Sequence, residues 1–255
     1  MIEIFLHTET WVALLTLTFL EIVLGLDNLV FISIAAGKLP KAFQKRAINL
    51  GMILALVLRI ILLLGISYLI ALNTPISHIN TTWFSADITG QSLILLVGGI
   101  FLLFKSTREI HHKVEGDEFE KSTPKKGHTL SKAIIQIALI NLVFSFDSIL
   151  TAVGMTNGIS GALEIMILSV IISMFIMMLF AVPVGKFVNA HPTVQMLALS
   201  FLILIGFMLV TEAAHLSHTI IFNNEIGAIP KGYLYFAIAF SLSVEALNMK
   251  VRKRS

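Results

Sequence analysis

Two aspartates lie in the middle of long apolar segments of this 255-residue sequence. Asp27 follows the run Phe19–Leu26, and Asp147 follows the run Ile140–Phe146. A carboxylate at the centre of a bilayer costs about 3 kcal/mol even on lenient insertion scales, so its presence there needs a reason. The usual reason is a pathway or binding site for an ion, and we predict one around these two residues.

Polar residues near the two aspartates occur at corresponding positions. When Asp27 is aligned with Asp147, three further pairs arise, which are Glu21 with Asn141, Gly25 with Ser145, and Asn28 with Ser148. Residues spaced i, i+4 and i+7 share one face of a helix. We therefore expect each segment to present a polar face to a groove, in two related halves of the chain.

The candidate metal ligands all carry oxygen or amide donors: they are Glu21, Asp27, Asn28, Asn141, Asp147 and Ser148. The chain has no cysteine, and oxygen ligation suits Mg²⁺, Ca²⁺ or Mn²⁺ better than Cu⁺ or Zn²⁺. Soft sulfur is offered by Met155, Met174, Met177 and Met178, but methionine at helical spacing usually fills space, and we predict that role here. A divalent cation is the predicted substrate, with no permanently bound cofactor.

Arg59 is a base placed inside an apolar segment. An unpaired guanidinium is costly there, so we predict a carboxylate partner, with Asp27 and Asp147 as the candidates. Two roles are open. The pair either serves structure alone or acts as a charge gate that releases the carboxylate when a cation arrives.

Glu245 repeats the polar spacing in the last apolar segment, together with Ser241 and Asn248. It lies only five residues before Lys250, close to the end of that segment. The residue therefore either lines the ion pathway as a further ligand or reaches the membrane interface.

Glu21 and Asp27 are six residues apart in the first segment. In a regular helix that spacing gives about 9 Å of rise and about 120° of rotation off one face, too far for one ion. Gly25 allows the helix to kink or unwind and bring the two carboxylates together. We predict a kink near Gly25, the alternative being two successive stations for the ion.

Composition places the chain in a membrane. It is 56% hydrophobic and 13% charged with a mean hydropathy of +0.91, whereas a soluble domain carries about 25% charged residues. Seven apolar segments are long enough to cross a hydrocarbon core of about 30 Å as helices. They span residues 9–36, 47–72, 90–107, 132–155, 161–186, 194–215 and 232–249.

Basic residues indicate the orientation. Of the 18 Lys and Arg, 16 fall at alternate ends of the segments, in 38–46, in 105–132, at 186 and in the tail 250–254. The opposite ends carry only Lys231, and we expect short outer loops without a folded domain. By the positive-inside rule the N-terminus is outside and the C-terminus cytoplasmic. The pI of about 9.2 follows from these loop residues, so nucleic-acid binding is not predicted.

The predicted fold class is all-α, a polytopic membrane protein of seven transmembrane helices in one membrane domain spanning 1–255. A polar segment at about 106–130 is predicted to be a solvated cytoplasmic connector between two halves of three helices, leaving a seventh helix over. The first and fourth helices cross in opposite directions, so the halves form inverted repeats. Transporters with such repeats bind their substrate near the bilayer midplane.

Several motifs resemble the TerC family of integral membrane proteins. They are Phe19–Asn28 with Leu39-Pro40, Ile140–Ser148 leading to Ala152–Gly154, His191-Pro192 before Leu197–Leu202, and Pro230–Tyr233 through Ser243–Asn248. The resemblance covers nearly the whole chain and is closest to short bacterial inner-membrane members, in a family near the LysE transporter superfamily. It implies multi-pass insertion in the bacterial inner membrane and a role for Glu21, Asp27, Asn28 and Asp147 in moving manganese.

The predicted function is export of a divalent cation, with Mn²⁺ as the preferred substrate. Coupling of this export to proton return is a further prediction. The alternative is a non-transporting scaffold or biogenesis factor, with tellurium or metal resistance as an indirect effect. An intramembrane aspartyl protease would use Asp27 and Asp147, but neither lies in a Gly-x-Gly-Asp motif, and we do not predict an enzyme. Gly98-Gly99 permits either a homodimer contact or close packing within one subunit, so dimerisation is open.

Overall fold

The computed structural model describes residues 8–37, 39–65, 74–115, 130–156, 159 and 161–252. Within these ranges the chain forms seven α-helices and four short β-strands. The helices are α1 (Thr8–Gly37), α2 (Lys41–Leu64), α3 (Gly90–Glu115), α4 (Leu130–Thr156), α5 (Ala162–Ala190), α6 (Pro192–Leu216) and α7 (Lys231–Arg252). The strands are β1 (Pro75–Asn80), β2 (Phe84–Thr89), β3 (Ile220–Ile221) and β4 (Asn224–Glu225).

The helices follow the apolar segments closely. Among the described residues, five helical stretches are long and apolar enough to cross a membrane, and they are Lys41–Leu64, Ala133–Thr156, Ala162–Ala190, Pro192–Leu216 and Lys231–Val251. The prediction of a helical membrane protein is confirmed. Seven crossings and the inverted repeat stay predictions.

The predicted connector at 106–130 begins within a helix, and its residues 116–129 lie outside the described residues. Helix α3 continues to Glu115, and it buries Ser106 and Glu109. The Nζ of Lys105 lies 3.0 Å from the Oε1 of Glu109, and this i, i+4 ion pair supports the helix through the polar stretch. Charge in the sequence therefore marked a polar helix end rather than the start of a loop.

The predicted outer loops contain a small β-sheet that the sequence did not indicate. The segments between α2 and α3 and between α6 and α7 together form a four-stranded antiparallel sheet in the order β1-β2-β3-β4. Strand β2 pairs with β3 through Phe84 and Ile221, and Thr81 closes the first hairpin by hydrogen bonding to Phe84. The sheet thus joins the N-terminal end of α3 to the C-terminal end of α6.

Helices α1, α2, α4 and α5 form one compact unit. Along the α1–α5 contact Gly25 faces Met177, Ser33 faces Gly185 and Gly37 faces Asn189, so these two helices run in the same direction. Helices α2 and α4 also run in the same direction, because Gly51 faces Ile137 and Arg59 bonds to Ser148. All four helices contribute to one core cluster, whose buried apolar residues are Leu29, Ile32, Ala35, Ala36, Ile48, Met52, Ala55, Ile137, Met174, Met177 and Ala181.

Helices α3, α6 and α7 and the sheet form a second compact unit. Helices α3 and α6 cross at two glycines, where a Cβ on Gly99 would lie 2.7 Å from the carbonyl oxygen of Gly206. The contact is reciprocal, because a Cβ on Gly206 would lie 3.0 Å from the carbonyl oxygen of Gly99. Of the two roles open for the Gly98-Gly99 pair, Gly99 therefore serves packing within the subunit.

Candidate functional site

A buried guanidinium joins three helices of the first unit. Arg59 on α2 directs its Nη2 to both carboxylate oxygens of Glu21 on α1, each at 2.5 Å. The same Nη2 donates a hydrogen bond to the hydroxyl of Ser148 on α4. One cationic nitrogen is therefore held by a carboxylate and a hydroxyl from two different helices.

These three residues are withdrawn from the protein surface. Glu21 is 5% exposed, and Arg59 and Ser148 are each 6% exposed. Charge pairs at such depth stay ionised only when each charge is compensated, and removing one partner costs about 3–5 kcal/mol. The three side chains thus form a buried ion pair that a hydroxyl group completes.

Ser148 is oriented by its own helix. Its hydroxyl donates to the carbonyl of Ser145 at 3.1 Å, which leaves oxygen lone pairs for Arg59. In the structure this oxygen accepts from the guanidinium of Arg59. The ligand role predicted for Ser148 from the sequence stays a prediction.

The carboxylate partner predicted for Arg59 is present as Glu21, which was not among the proposed candidates. The side chains of those candidates, Asp27 and Asp147, lie outside the described residues, so their pairing with Arg59 stays a prediction. Helix α2 begins at Lys41, so Arg59 lies 18 residues along it, about 27 Å above the α1–α2 turn. Glu21 lies 16 residues before the end of α1, about 24 Å above the same turn, and the two charges are level.

Asp27, Asn28 and Asp147 belong to α1 and α4, but their side chains lie outside the described residues. Their predicted ligand roles stay predictions. Asp147 directly precedes Ser148 in α4, so its backbone is at the level of Arg59. Among the described residues, no three His, Cys, Asp or Glu side chains lie close enough together to hold a metal ion.

Asn141 lies two helical turns before Ser148 on α4 and is buried. Its side-chain nitrogen donates to the backbone carbonyl of Ile137 at 3.2 Å, which fixes the amide along its own helix. The hydroxyl of Ser145 donates to the backbone carbonyl of Asn141 at 2.6 Å. The described contacts place Asn141 on the α4 face that carries Ser148, without joining it to Glu21.

Helix α1 passes through Gly25 without interruption, from Thr8 to Gly37. The unwound form considered for this position is therefore wrong, whereas the predicted kink stays a prediction. Gly25 has a packing role, because a Cβ there would overlap the sulfur of Met177 on α5 and lie 3.0 Å from its methyl carbon. Glu21 and Asp27 accordingly occupy different turns of one continuous helix.

Glu245 belongs to the second unit. Thr193, in the first turn of α6, donates to its Oε1 at 2.5 Å, and Asn248 donates to its Oε2 at 3.4 Å. A carboxylate at a helix N-terminus is favoured by the helix dipole. The Thr193 bond connects α7 to α6, so the described geometry gives Glu245 a structural contact, and its ligand role stays a prediction.

Two buried polar atoms near the Glu21–Arg59 pair have no hydrogen-bond partner among the described residues. They are the hydroxyl oxygen of Thr18 and the Nε of Arg59. Thr18 lies three residues before Glu21, on the same side of α1. Sequence reasoning missed this residue, although its i, i+3 spacing from Glu21 was the available signal.

Comparison with known proteins gives the family. The sequence matches the family described as "Integral membrane protein TerC family" over residues 6–255. It is 43% identical to the "UPF0053 inner membrane protein YgdQ" of Escherichia coli K12 over 247 residues, covering 97% of this chain and 95% of that protein. It is 40% identical over 253 residues to a "UPF0053 protein" of Haemophilus influenzae, covering 99% of each.

The same region also occurs within longer proteins. The "UPF0053 protein YegH" of Escherichia coli K12 is 42% identical over 238 residues, which is 93% of this chain but 42% of that protein. No solved structure matches the sequence. With a match over nearly its whole length, the chain belongs to the TerC family of integral membrane proteins.

Proposed function

We propose that this protein exports a divalent metal cation, with Mn²⁺ as the preferred substrate. The observation that supports this function is the Arg59 guanidinium held between the Glu21 carboxylate and the Ser148 hydroxyl. Both oxygen donors lie within apolar helices, where ionisable residues generally mark ion pathways. A site that already holds a cationic group has the donors that a transported cation requires.

Arg59 acts in this proposal as a tethered cation that occupies the empty site. An entering metal ion replaces the guanidinium on Glu21, and the guanidinium returns when the metal leaves. The Nε of Arg59, without a described partner, leaves the side chain less firmly fixed than a fully bonded guanidinium. Of the two roles open from the sequence, we therefore propose the gate.

Net charge favours a divalent substrate. Ionised Glu21, Asp27 and Asp147 together with Arg59 carry a net charge of −2, equal and opposite to that of the metal ion. Two protons on these carboxylates would neutralise the empty site in the same way, and membrane carboxylates commonly relay protons. We accordingly propose exchange of one metal ion for two protons, with Asn28 and Asn141 as further oxygen ligands.

The direction of transport follows from the proposed orientation. Basic helix ends place the C-terminus in the cytoplasm, and the α1–α2 turn with Lys41 and Lys45 lies on the same side. Cytoplasmic metal would reach Asp27 before Glu21 as it moves along α1. Alternating access between two inverted halves would then expose the site to the outside.

Flux measurements in reconstituted vesicles test this function. We expect wild-type protein to carry Mn²⁺ and the variants Glu21→Gln, Asp27→Asn and Asp147→Asn to lose that flux. Glu9→Gln is the matched control, because Glu9 is an exposed carboxylate in the first turn of α1. Absence of metal flux from correctly folded wild-type protein would favour a scaffold, and wild-type rates in all three variants would contradict the site.

A further inference from the structure

Helix α5 lies along the face of α1 that carries Glu21. Gly25 is four residues after Glu21, so the two share a face about 6 Å apart along the axis. Met177 on α5 is buried, and its sulfur contacts α1 at Gly25. A thioether therefore lies one turn from the carboxylate that binds Arg59, on the side nearer the α1–α2 turn.

The register between the two helices extends this contact to Glu21. The facing pairs Gly25 with Met177 and Gly37 with Asn189 have a constant separation in the sequence. One turn before Met177 the same register brings Ser173 level with Glu21. Ser173 is fully buried and donates to the carbonyl of Val170 at 3.0 Å, which leaves its oxygen lone pairs available.

We propose that Met177 determines the metal selectivity of the Glu21 site, with its sulfur lining the approach to Glu21 from the cytoplasmic side. This inference rests on the proposed transport function. Carboxylates and hydroxyls bind Mg²⁺, Ca²⁺ and Mn²⁺ alike, whereas a thioether favours the softer transition-metal ions. A sulfur beside oxygen donors thus favours Mn²⁺ over Mg²⁺ and Ca²⁺, which the oxygen donors alone do not.

Flexibility makes methionine suited to this position. Its unbranched side chain adapts to irregular surroundings, so the sulfur can move from Gly25 toward an ion at Glu21. The absence of a Cβ at Gly25 gives the sulfur its place against α1, since an added Cβ would overlap it. Gly25 and Met177 therefore act together, and an alanine at Gly25 displaces the sulfur.

Competition experiments in vesicles test the role of Met177. Mn²⁺ uptake is measured with increasing Ca²⁺ or Mg²⁺ for wild type, Met177→Leu and Gly25→Ala, and with Cd²⁺ as a softer probe. Met174→Leu is the matched control, because Met174 is buried in the same apolar cluster on the same helix. Leucine conserves most of the methionine volume, so folding should tolerate both leucine variants.

We expect Met177→Leu to lower the preference for Mn²⁺ over Ca²⁺ about tenfold, a change that corresponds to about 1.4 kcal/mol. Cd²⁺ should inhibit Mn²⁺ uptake less strongly in Met177→Leu than in wild type. Gly25→Ala should shift selectivity in the same direction, and Met174→Leu should match wild type. Unchanged selectivity in Met177→Leu, with Mn²⁺ flux intact, would show that Met177 only fills space. Wild-type protein without any metal flux would instead overturn the proposed function and this inference with it.

Discussion

The pair formed by Glu21 and Arg59 makes a quantitative prediction about stability. Two unit charges about 4 Å apart attract by about 4 kcal/mol at an effective dielectric constant of 20. Both side chains are almost fully buried, so the residue left after removal of its partner keeps its charge without solvent to compensate it. We expect Glu21→Gln and Arg59→Met each to lower the free energy of unfolding by about 3–5 kcal/mol.

The double variant distinguishes the charge pair from simple loss of packing. With both charges gone, no unpaired ion is buried, so Glu21→Gln/Arg59→Met should lose at least about 2 kcal/mol less than the sum of the single changes. The measurement is reversible unfolding in mixed micelles, read from helical circular dichroism. Glu115→Gln is a control, because its exposed pair with His111 should contribute at most about 0.5 kcal/mol.

If the stability losses of the two single variants add up to that of the double variant within about 0.5 kcal/mol, the reasoning is refuted. Such additivity would mean that the two residues stabilise the protein independently, despite the 2.5 Å contacts between them. Single variants as stable as wild type would refute it as well. Either result would remove the physical basis for treating Arg59 as the occupant of a cation site.

Three further predictions concern the surrounding structure. Gly99→Ala should destabilise the protein by about 1–3 kcal/mol in the same unfolding assay, since its Cβ would meet a facing carbonyl at 2.7 Å, whereas Gly232→Ala, with open space around it, should not. Ser148→Ala should cost about 1–3 kcal/mol because the buried guanidinium loses an acceptor, and full stability would contradict the described bond. Glu245→Gln, which keeps an oxygen acceptor for Thr193, should retain Mn²⁺ flux, and its loss would support a ligand role for Glu245.

Hydropathy predicted the helices well, because the bilayer fixes the minimum length of an apolar helix. The boundaries of α1, at Thr8 and Gly37, lie one residue from those predicted. Charged helix ends were harder to place, as at α2, which begins at Lys41 rather than at residue 47. Lysine and arginine are compatible with a helix that extends beyond the hydrocarbon core, and hydropathy alone does not register that extension.

That shift at α2 also explains why Glu21 was not among the partners proposed for Arg59. A carboxylate partner followed from the cost of a buried charge, but choosing among carboxylates required the relative depths of α1 and α2. Helix pairing was likewise beyond the sequence, because the contact of Gly25 with Met177 depends on which helices are neighbours. The sheet was missed because its longest strands have only six residues and carry polar side chains such as His78 and Asp87.

The central claim is that a metal ion replaces the Arg59 guanidinium at Glu21. Calorimetric titration of Mn²⁺ into purified wild type, Arg59→Gln and Glu21→Gln tests it most directly. Removal of the competing guanidinium should tighten Mn²⁺ binding about tenfold or more in Arg59→Gln, equivalent to at least about 1.4 kcal/mol, while Glu21→Gln should show no specific binding. Equal affinity in wild type and Arg59→Gln, or undiminished binding in Glu21→Gln, would contradict the claim.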